Sequence, residues 1–98
     1  ESYKKAINYY ADNQLKSINN IIYKVQISAS KRRLELKSYN FKGLKNLSRI
    51  KQGSTYKYFY SSSSDLEEIK EKKKYARSKG FSNAYIVGFE NGKLFDVD

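Results

Sequence analysis

The sequence predicts an α+β domain with a split βαβ arrangement, in which helices cover one face of a four-stranded antiparallel sheet. Three patterns predict it: an alternating apolar segment at 21–29, a hairpin of two short strands at 48–60, and a capped amphipathic helix at 65–80 followed by an apolar strand at 84–89. A chain of 98 residues has room for one hydrophobic core. We therefore expect a single compact domain.

Composition excludes most catalytic chemistry. The chain has no histidine and no cysteine, which removes the usual zinc sites, thiol nucleophiles, histidine bases and disulfides. We expect no catalytic residue, no metal and no cofactor in this chain. Because it also has no methionine, we expect it to be a module of a longer protein.

The charge is strongly positive. Lysine and arginine number 20 against 10 acidic residues, a formal net charge of +10. Between Lys31 and Lys57, nine cations stand against Glu35 alone. This imbalance favours a polyanionic partner, although a solvated lysine-rich surface would give the same count.

Residues 1–20 form the first predicted unit. Apolar side chains recur there at spacings of three and four, which predicts one helix over about 2–17 that ends at Asn19 and Asn20. This unit is either a linker or a helix that packs on the rest. The second unit, 21–98, is the predicted binding domain.

The first strand alternates, with Tyr23, Val25 and Ile27 on one face and Lys24, Gln26 and Ser28 on the other. Asn40 and Gly43 interrupt the next segment, so we expect an irregular crossover with a short helical turn near 41–45. A turn at 52–54 then joins strands at 48–51 and 55–60.

The serine run 61–64 is interpreted as the start of a helix. Ser64 and Glu67 fit a capping box, and acids precede bases along 65–80, as the helix dipole favours. Gly80 supplies a left-handed stop. After the strand at 84–89, Asn91-Gly92 predicts a type I′ turn into a last short strand at 94–97.

Four segments, in order, resemble a SPOR domain. Residues 23–28 (YKVQIS) resemble the first-strand motif Tyr-x-Val-Gln-x-Gly/Ser, and 56–58 (YKY) stand where the family has Tyr-Arg-Val. Residues 65–80 and 84–87 resemble its second helix and fourth strand. The run 36–44 is similar to one that replaces the first helix in the divergent SPOR-like domain of N-acetylmuramoyl-L-alanine amidases of Bacteroidetes.

The resemblance implies a ferredoxin-like domain that binds peptidoglycan in the periplasm or cell envelope. It implies a preference for glycan strands denuded of stem peptides, and recruitment of a parent zinc amidase to the division site. A denuded strand exposes one lactyl carboxylate per disaccharide, so a lysine-bearing sheet would attract it.

The predicted ligand-binding residues lie on the face of the sheet that carries no helix. Gln26 offers both a donor and an acceptor to sugar groups, and Phe59 offers a ring for stacking. The full set of predicted ligand-binding residues is Lys24, Gln26, Ser28, Thr55, Lys57, Phe59 and Ile86. The register implied by the resemblance places Tyr56, Tyr58 and Tyr60 inward, and a slip of one residue would exchange the two faces.

Other interpretations stay open. Gln26 could be an ordinary solvated residue, and Phe59 and Ile86 could belong to the core. An RNA-recognition module shares this order of elements, but the segment 55–60 lacks the basic-Gly-aromatic signature. A protein-interaction domain that uses the stripe of residues 1–20 is a further alternative.

Overall fold

A computed structural model describes residues 21–98. Five strands form one antiparallel sheet in the order β2-β3-β1-β4-β5. The strands are β1 (Ile21–Ser30), β2 (Leu47–Gln52), β3 (Thr55–Ser63), β4 (Tyr85–Glu90) and β5 (Lys93–Asp96), and helix α1 (Leu66–Ser78) joins β3 to β4. Within this part of the chain, no helix is long and apolar enough to cross a membrane.

The predicted fold class is wrong. The sheet has five strands and curls into a half-barrel, so it is not the four-stranded ferredoxin-like sheet that the sequence predicts. In the described residues α1 is the one α-helix, because the crossover from β1 to β2 contains only the 3-10 turn Ser38–Asn40. The predicted N-terminal helix at 2–17 lies outside the described residues.

The fifth strand follows from a turn that the sequence predicted. Asn91 and Gly92 have φ values of +53° and +81°, the left-handed conformations that a type I′ turn requires. The chain therefore reverses tightly, and β5 pairs with β4 from Lys93 to Asp96. This added edge strand widens the sheet beyond four strands.

The main core lies between the sheet and α1. Val25, Tyr58 and Ile86 from three neighbouring strands pack with Ile69 of α1, and all four are fully buried. The inward register predicted for the β3 tyrosines is confirmed, since Tyr56 and Tyr60 also belong to this cluster. Each fully buried side chain of this size stabilises the fold by roughly 1.5–3 kcal/mol.

The start of α1 differs from the prediction and its end agrees. Asp65, not Ser64, is the N-cap, and its carboxylate accepts a hydrogen bond from Glu67 N at 3.0 Å. The first three serines of the run, 61–63, belong to β3, and Ser64 lies between the strand and the N-cap. Gly80 has φ +115°, which confirms it as the left-handed residue after the helix.

Two irregularities in the pairing of β1 with β3 decide which side chains share a face. One shift lies between Gln26 and Ser28, so Ser28 pairs with Tyr58 on the helix side. The other lies where Tyr23 pairs with Ser63 and Val25 with Tyr60, which places an extra residue in β3. Ser61, at φ +65°, lies in this bulge.

Candidate functional site

The side of the sheet opposite α1 carries no helix formed by residues 21–98, and we call it the helix-free face. It carries a second cluster of side chains. Phe59 and Phe89 meet edge to face with ring centroids 5.4 Å apart, and Val87 is fully buried beside them. The ammonium group of Lys24 lies 5.6 Å from the centre of the Phe89 ring. This face is therefore apolar at its centre, with the ammonium group of Lys24 beside the aromatic pair.

A hollow of about 310 Å³ opens on this face where β3 bulges. The extra residue at Ser61 bends β3, and Ser61 N donates a hydrogen bond to Asn46 O at 2.8 Å. Lys24 reaches the hollow from β1, and its Nζ donates to Ser48 Oγ at 3.1 Å. The residues that line the hollow are Lys24, Asn46, Leu47, Ser48, Ser61 and Ser62.

The chemistry of the hollow is that of a hydrogen-bonding site with a single positive charge. Hydroxyl and amide groups can each donate and accept, so they suit a ligand with many hydroxyl groups. Among residues 21–98, Lys24 is the one charged residue that lines it, and no carboxylate of these residues does. A hollow of this composition favours a ligand that has one acidic group and whose other groups are polar and uncharged.

Gln26 lies next to the hollow, two residues along β1 from Lys24. Only 7% of its surface is exposed, and its Oε1 finds no hydrogen-bond donor among residues 21–98. A buried acceptor without a donor costs about 1–3 kcal/mol, a cost that a donor group of a ligand would remove.

A row of four side chains crosses the helix-free face at Gln26. Tyr85 pairs with Gln26 on one side, and Phe59 and then Ser48 follow on the other. Burial, followed by the nearby charge of Asp96, raises the pKa of Tyr85 above its usual value. Tyr85 therefore keeps its hydroxyl proton and can serve as a neutral donor beside Gln26.

The structure brings together only some of the predicted site residues. Lys24, Gln26 and Phe59 are neighbours on the helix-free face. Thr55 and Lys57 are half-buried toward the other end of β3, and Thr55 is roughly 20 Å from Ser61 along the strand. They lie away from the hollow.

Four of the predicted placements are wrong. Gln26 and Phe59 are buried, so neither is the open contact that the alternation predicted. Ile86 belongs to the core against α1, although it was expected on the surface. The shift in pairing between Gln26 and Ser28 turns Ser28 to the helix side. No pattern in the sequence indicates that the centre of this face is buried.

Asn46, Ser48, Ser61 and Ser62 were missed as site residues. The serines were interpreted as a helix start, and Asn46 looked like part of an irregular crossover. No glycine marks the bulge at Ser61, so the sequence carries no local signal for these residues. No protein-family model, no curated protein and no solved structure matches the chain.

Proposed function

We propose that this protein is a non-catalytic module that binds peptidoglycan glycan strands denuded of their stem peptides. The observation that carries the proposal is the hollow at Lys24, where one ammonium group is surrounded by the hydroxyl and amide groups of Asn46, Ser48, Ser61 and Ser62. Sugar hydroxyl and N-acetyl groups match these neutral groups. The free lactyl carboxylate of a denuded strand matches the ammonium group.

The same chemistry explains a preference for denuded strands. A stem peptide is attached through the lactyl carboxylate as an amide, so an intact strand has no negative charge at that position. It also adds bulk at the point that would face Lys24. The proposed role of the module in its parent protein is to bring a cell-wall amidase to division-site glycan in the cell envelope.

A nucleic-acid role receives less support from the geometry. RNA-recognition sheets stack bases on aromatic rings that project from their middle strands. Phe59, the aromatic residue on the helix-free side of β3, is fully buried, and its ring edge packs against Phe89. It offers no free ring face for a base.

Co-sedimentation with purified sacculi tests the proposal. Sacculi treated with an amidase, which removes stem peptides, should retain more protein than untreated sacculi at the same mass of glycan. Binding should weaken as salt rises, because the contact includes an ion pair. Equal retention by the two preparations, or none by either, would refute the proposal.

A matched pair of variants locates the contact. Lys24→Gln should lower the affinity about fivefold or more, since a charge-assisted hydrogen bond contributes about 1 kcal/mol or above. Lys70→Gln removes the same charge from α1, where Lys70 pairs with Glu67 at 3.1 Å. This control should bind as the parent protein does.

A further inference from the structure

The excess of positive over negative charge in the described residues comes from one part of the chain. Residues 21–64 contain ten lysines and arginines and one acid, Glu35, whereas residues 65–98 contain seven of each sign. Among the described residues, the ion pairs of Lys70, Lys73 and Lys74 all lie in the second part. The cations of the first part have no acidic partner within residues 21–98.

Some of these cations lie close in sequence to two exposed apolar side chains. Residues 33–40, which we call the basic loop, end in the 3-10 turn Ser38–Asn40. Leu36 is 37% exposed and Tyr39 is 76% exposed, the largest fraction among the exposed large apolar side chains of residues 21–98. Exposed apolar groups on a protein surface are typical of a contact site when they form a patch with a polar rim.

Hydrogen bonds hold the basic loop in this shape. Asn40 Nδ2 donates to Glu35 O at 3.0 Å, and Asn40 N donates to Lys37 O at 2.9 Å. At the base of the loop, Arg49 Nη1 donates to Leu34 O at 2.8 Å. Because these bonds close the loop on itself, Leu36 and Tyr39 stay outside the core.

Cationic side chains lie beside Leu36. A hollow of about 480 Å³ is lined by Leu36, by the cations Arg33, Lys37 and Arg49, and by Glu35. Three cations against one carboxylate leave this hollow positive. A phosphate group could pair with these cations. The aliphatic side chain of Leu36 could at the same time contact an apolar environment next to the phosphate.

We propose that the basic loop is a peripheral contact for an anionic lipid surface. Lipid headgroups supply phosphates to Arg33, Lys37 and Arg49, while Tyr39 takes the interfacial position that tyrosine favours in membranes. Leu36 then enters the acyl boundary below the headgroups. A sugar strand or a nucleic acid would leave Leu36 in water, because an aliphatic side chain has neither a ring to stack nor a hydrogen bond to offer.

This contact is separate from the glycan hollow. The basic loop follows β1 and packs, through Leu34, on the helix side of the sheet, whereas Lys24 and Ser48 lie on the helix-free face. The module could therefore touch a membrane and a glycan strand at once. Failure of one site leaves the other intact.

Fluorescence tests the proposal, since the chain has no tryptophan. Tyr39→Trp places a single reporter on the basic loop, and Tyr75→Trp places one on α1, where Tyr75 is 50% exposed. Vesicles of phosphatidylcholine mixed with phosphatidylglycerol should shift the emission of Tyr39→Trp to the blue, and the emission of Tyr75→Trp should stay unchanged. No shift for Tyr39→Trp, or the same shift for both, would overturn the proposal.

Vesicle co-sedimentation gives the charge dependence. Each cation near an anionic membrane raises the partition coefficient of the protein onto the vesicles about fivefold. The double variant with Arg33→Gln and Lys37→Gln should therefore bind about 25-fold more weakly. Leu36→Ser should lower partition several-fold with no change of charge. The control, Lys70→Gln with Lys74→Gln, removes two charges from α1 and should bind as the parent does.

Two results would contradict the lipid assignment. Equal binding to vesicles of phosphatidylcholine alone would show that anionic lipid is not recognised. If single-stranded RNA displaced the protein from anionic vesicles at equal phosphate concentration, the basic loop would be a nucleic-acid surface instead. Retained circular dichroism of every variant shows that a loss of binding is not a loss of fold.

Discussion

The buried hydroxyl of Tyr58 fixes the backbone at Leu34, because Leu34 N donates a hydrogen bond to Tyr58 Oη at 2.7 Å. The same hydroxyl donates to Arg32 O at 2.9 Å. One side chain of β3 thereby satisfies two backbone groups of the crossover and positions the basic loop that follows. The crossover has no helix to supply these bonds, so Tyr58 takes that place.

Tyr58→Phe should therefore destabilise the protein by about 1–3 kcal/mol, since it leaves two backbone groups without a partner. Tyr56→Phe is the matched control on the same strand and face, because the Tyr56 hydroxyl has no hydrogen-bond partner within residues 21–98. Chemical denaturation of both variants measures the difference. Equal losses for the two would contradict the role given to the Tyr58 hydroxyl.

Ser61→Gly should stabilise the protein by about 0.5–1 kcal/mol. Ser61 has φ +65°, a conformation that a side chain disfavours and glycine adopts freely. Ser61→Val should instead destabilise it, since a branched side chain is strained most at positive φ. Thermal unfolding of the two variants measures both effects, with Ser62→Gly as the control. A loss of stability in Ser61→Gly would be evidence against the bulge.

Asp98 makes stability depend on acid pH. Burial raises the pKa of this carboxyl, but the hydrogen bonds from Lys73 and Ile86 N and the charges of Lys73 and Arg77 outweigh it, so the pKa lies below its usual value. A lowered pKa contributes stability above the unfolded-state value of 3.8, and that contribution is lost as the pH falls through the folded-state value.

Asp98→Asn should consequently lower the unfolding free energy at neutral pH by less than about 1 kcal/mol, because the ion pair is partly exposed. Below about pH 4 the variant and the parent should converge. Urea denaturation across this range measures both effects. A gap that stays constant down to about pH 2 would show that Asp98 does not titrate differently in the folded state.

Gln26→Met separates stability from function at the helix-free face. Methionine has a similar volume and removes the buried Oε1 that lacks a donor, so the unfolding free energy should stay equal or rise by about 1–2 kcal/mol. If Gln26 serves the proposed glycan site, affinity for denuded strands should fall in the same variant. A destabilised variant with unchanged binding would show that Gln26 is an ordinary structural residue.

Local patterns predicted most of the elements. The alternation at Val25 and the Asn91-Gly92 turn act over a few residues, and each gave a strand or turn that the structure contains. The errors arise where the chain departs from a period of two. A bulge at a serine has no glycine to mark it, so neither Ser61 nor the turned Ser28 could be foreseen.

Burial on the helix-free face was also beyond a sequence pattern. Alternation tells which residues of one strand share a face, and the register implied by the SPOR resemblance placed Phe59 on the face of Gln26, where the structure has it. Whether such a face is open depends on how strongly five strands curl together, which is a property of the whole sheet. Phe59 is fully buried, so it cannot be the stacking platform that its position predicted.

Chemical-shift mapping by NMR tests the central proposal most directly. Denuded glycan strands titrated into the labelled protein should move the backbone amide signals of Lys24, Ser48 and Ser61 most, and leave those of α1 in place. Intact peptidoglycan fragments should produce much smaller changes at the same residues. If the largest shifts fall on α1, or if no signal moves, the helix-free face is not the glycan-binding surface.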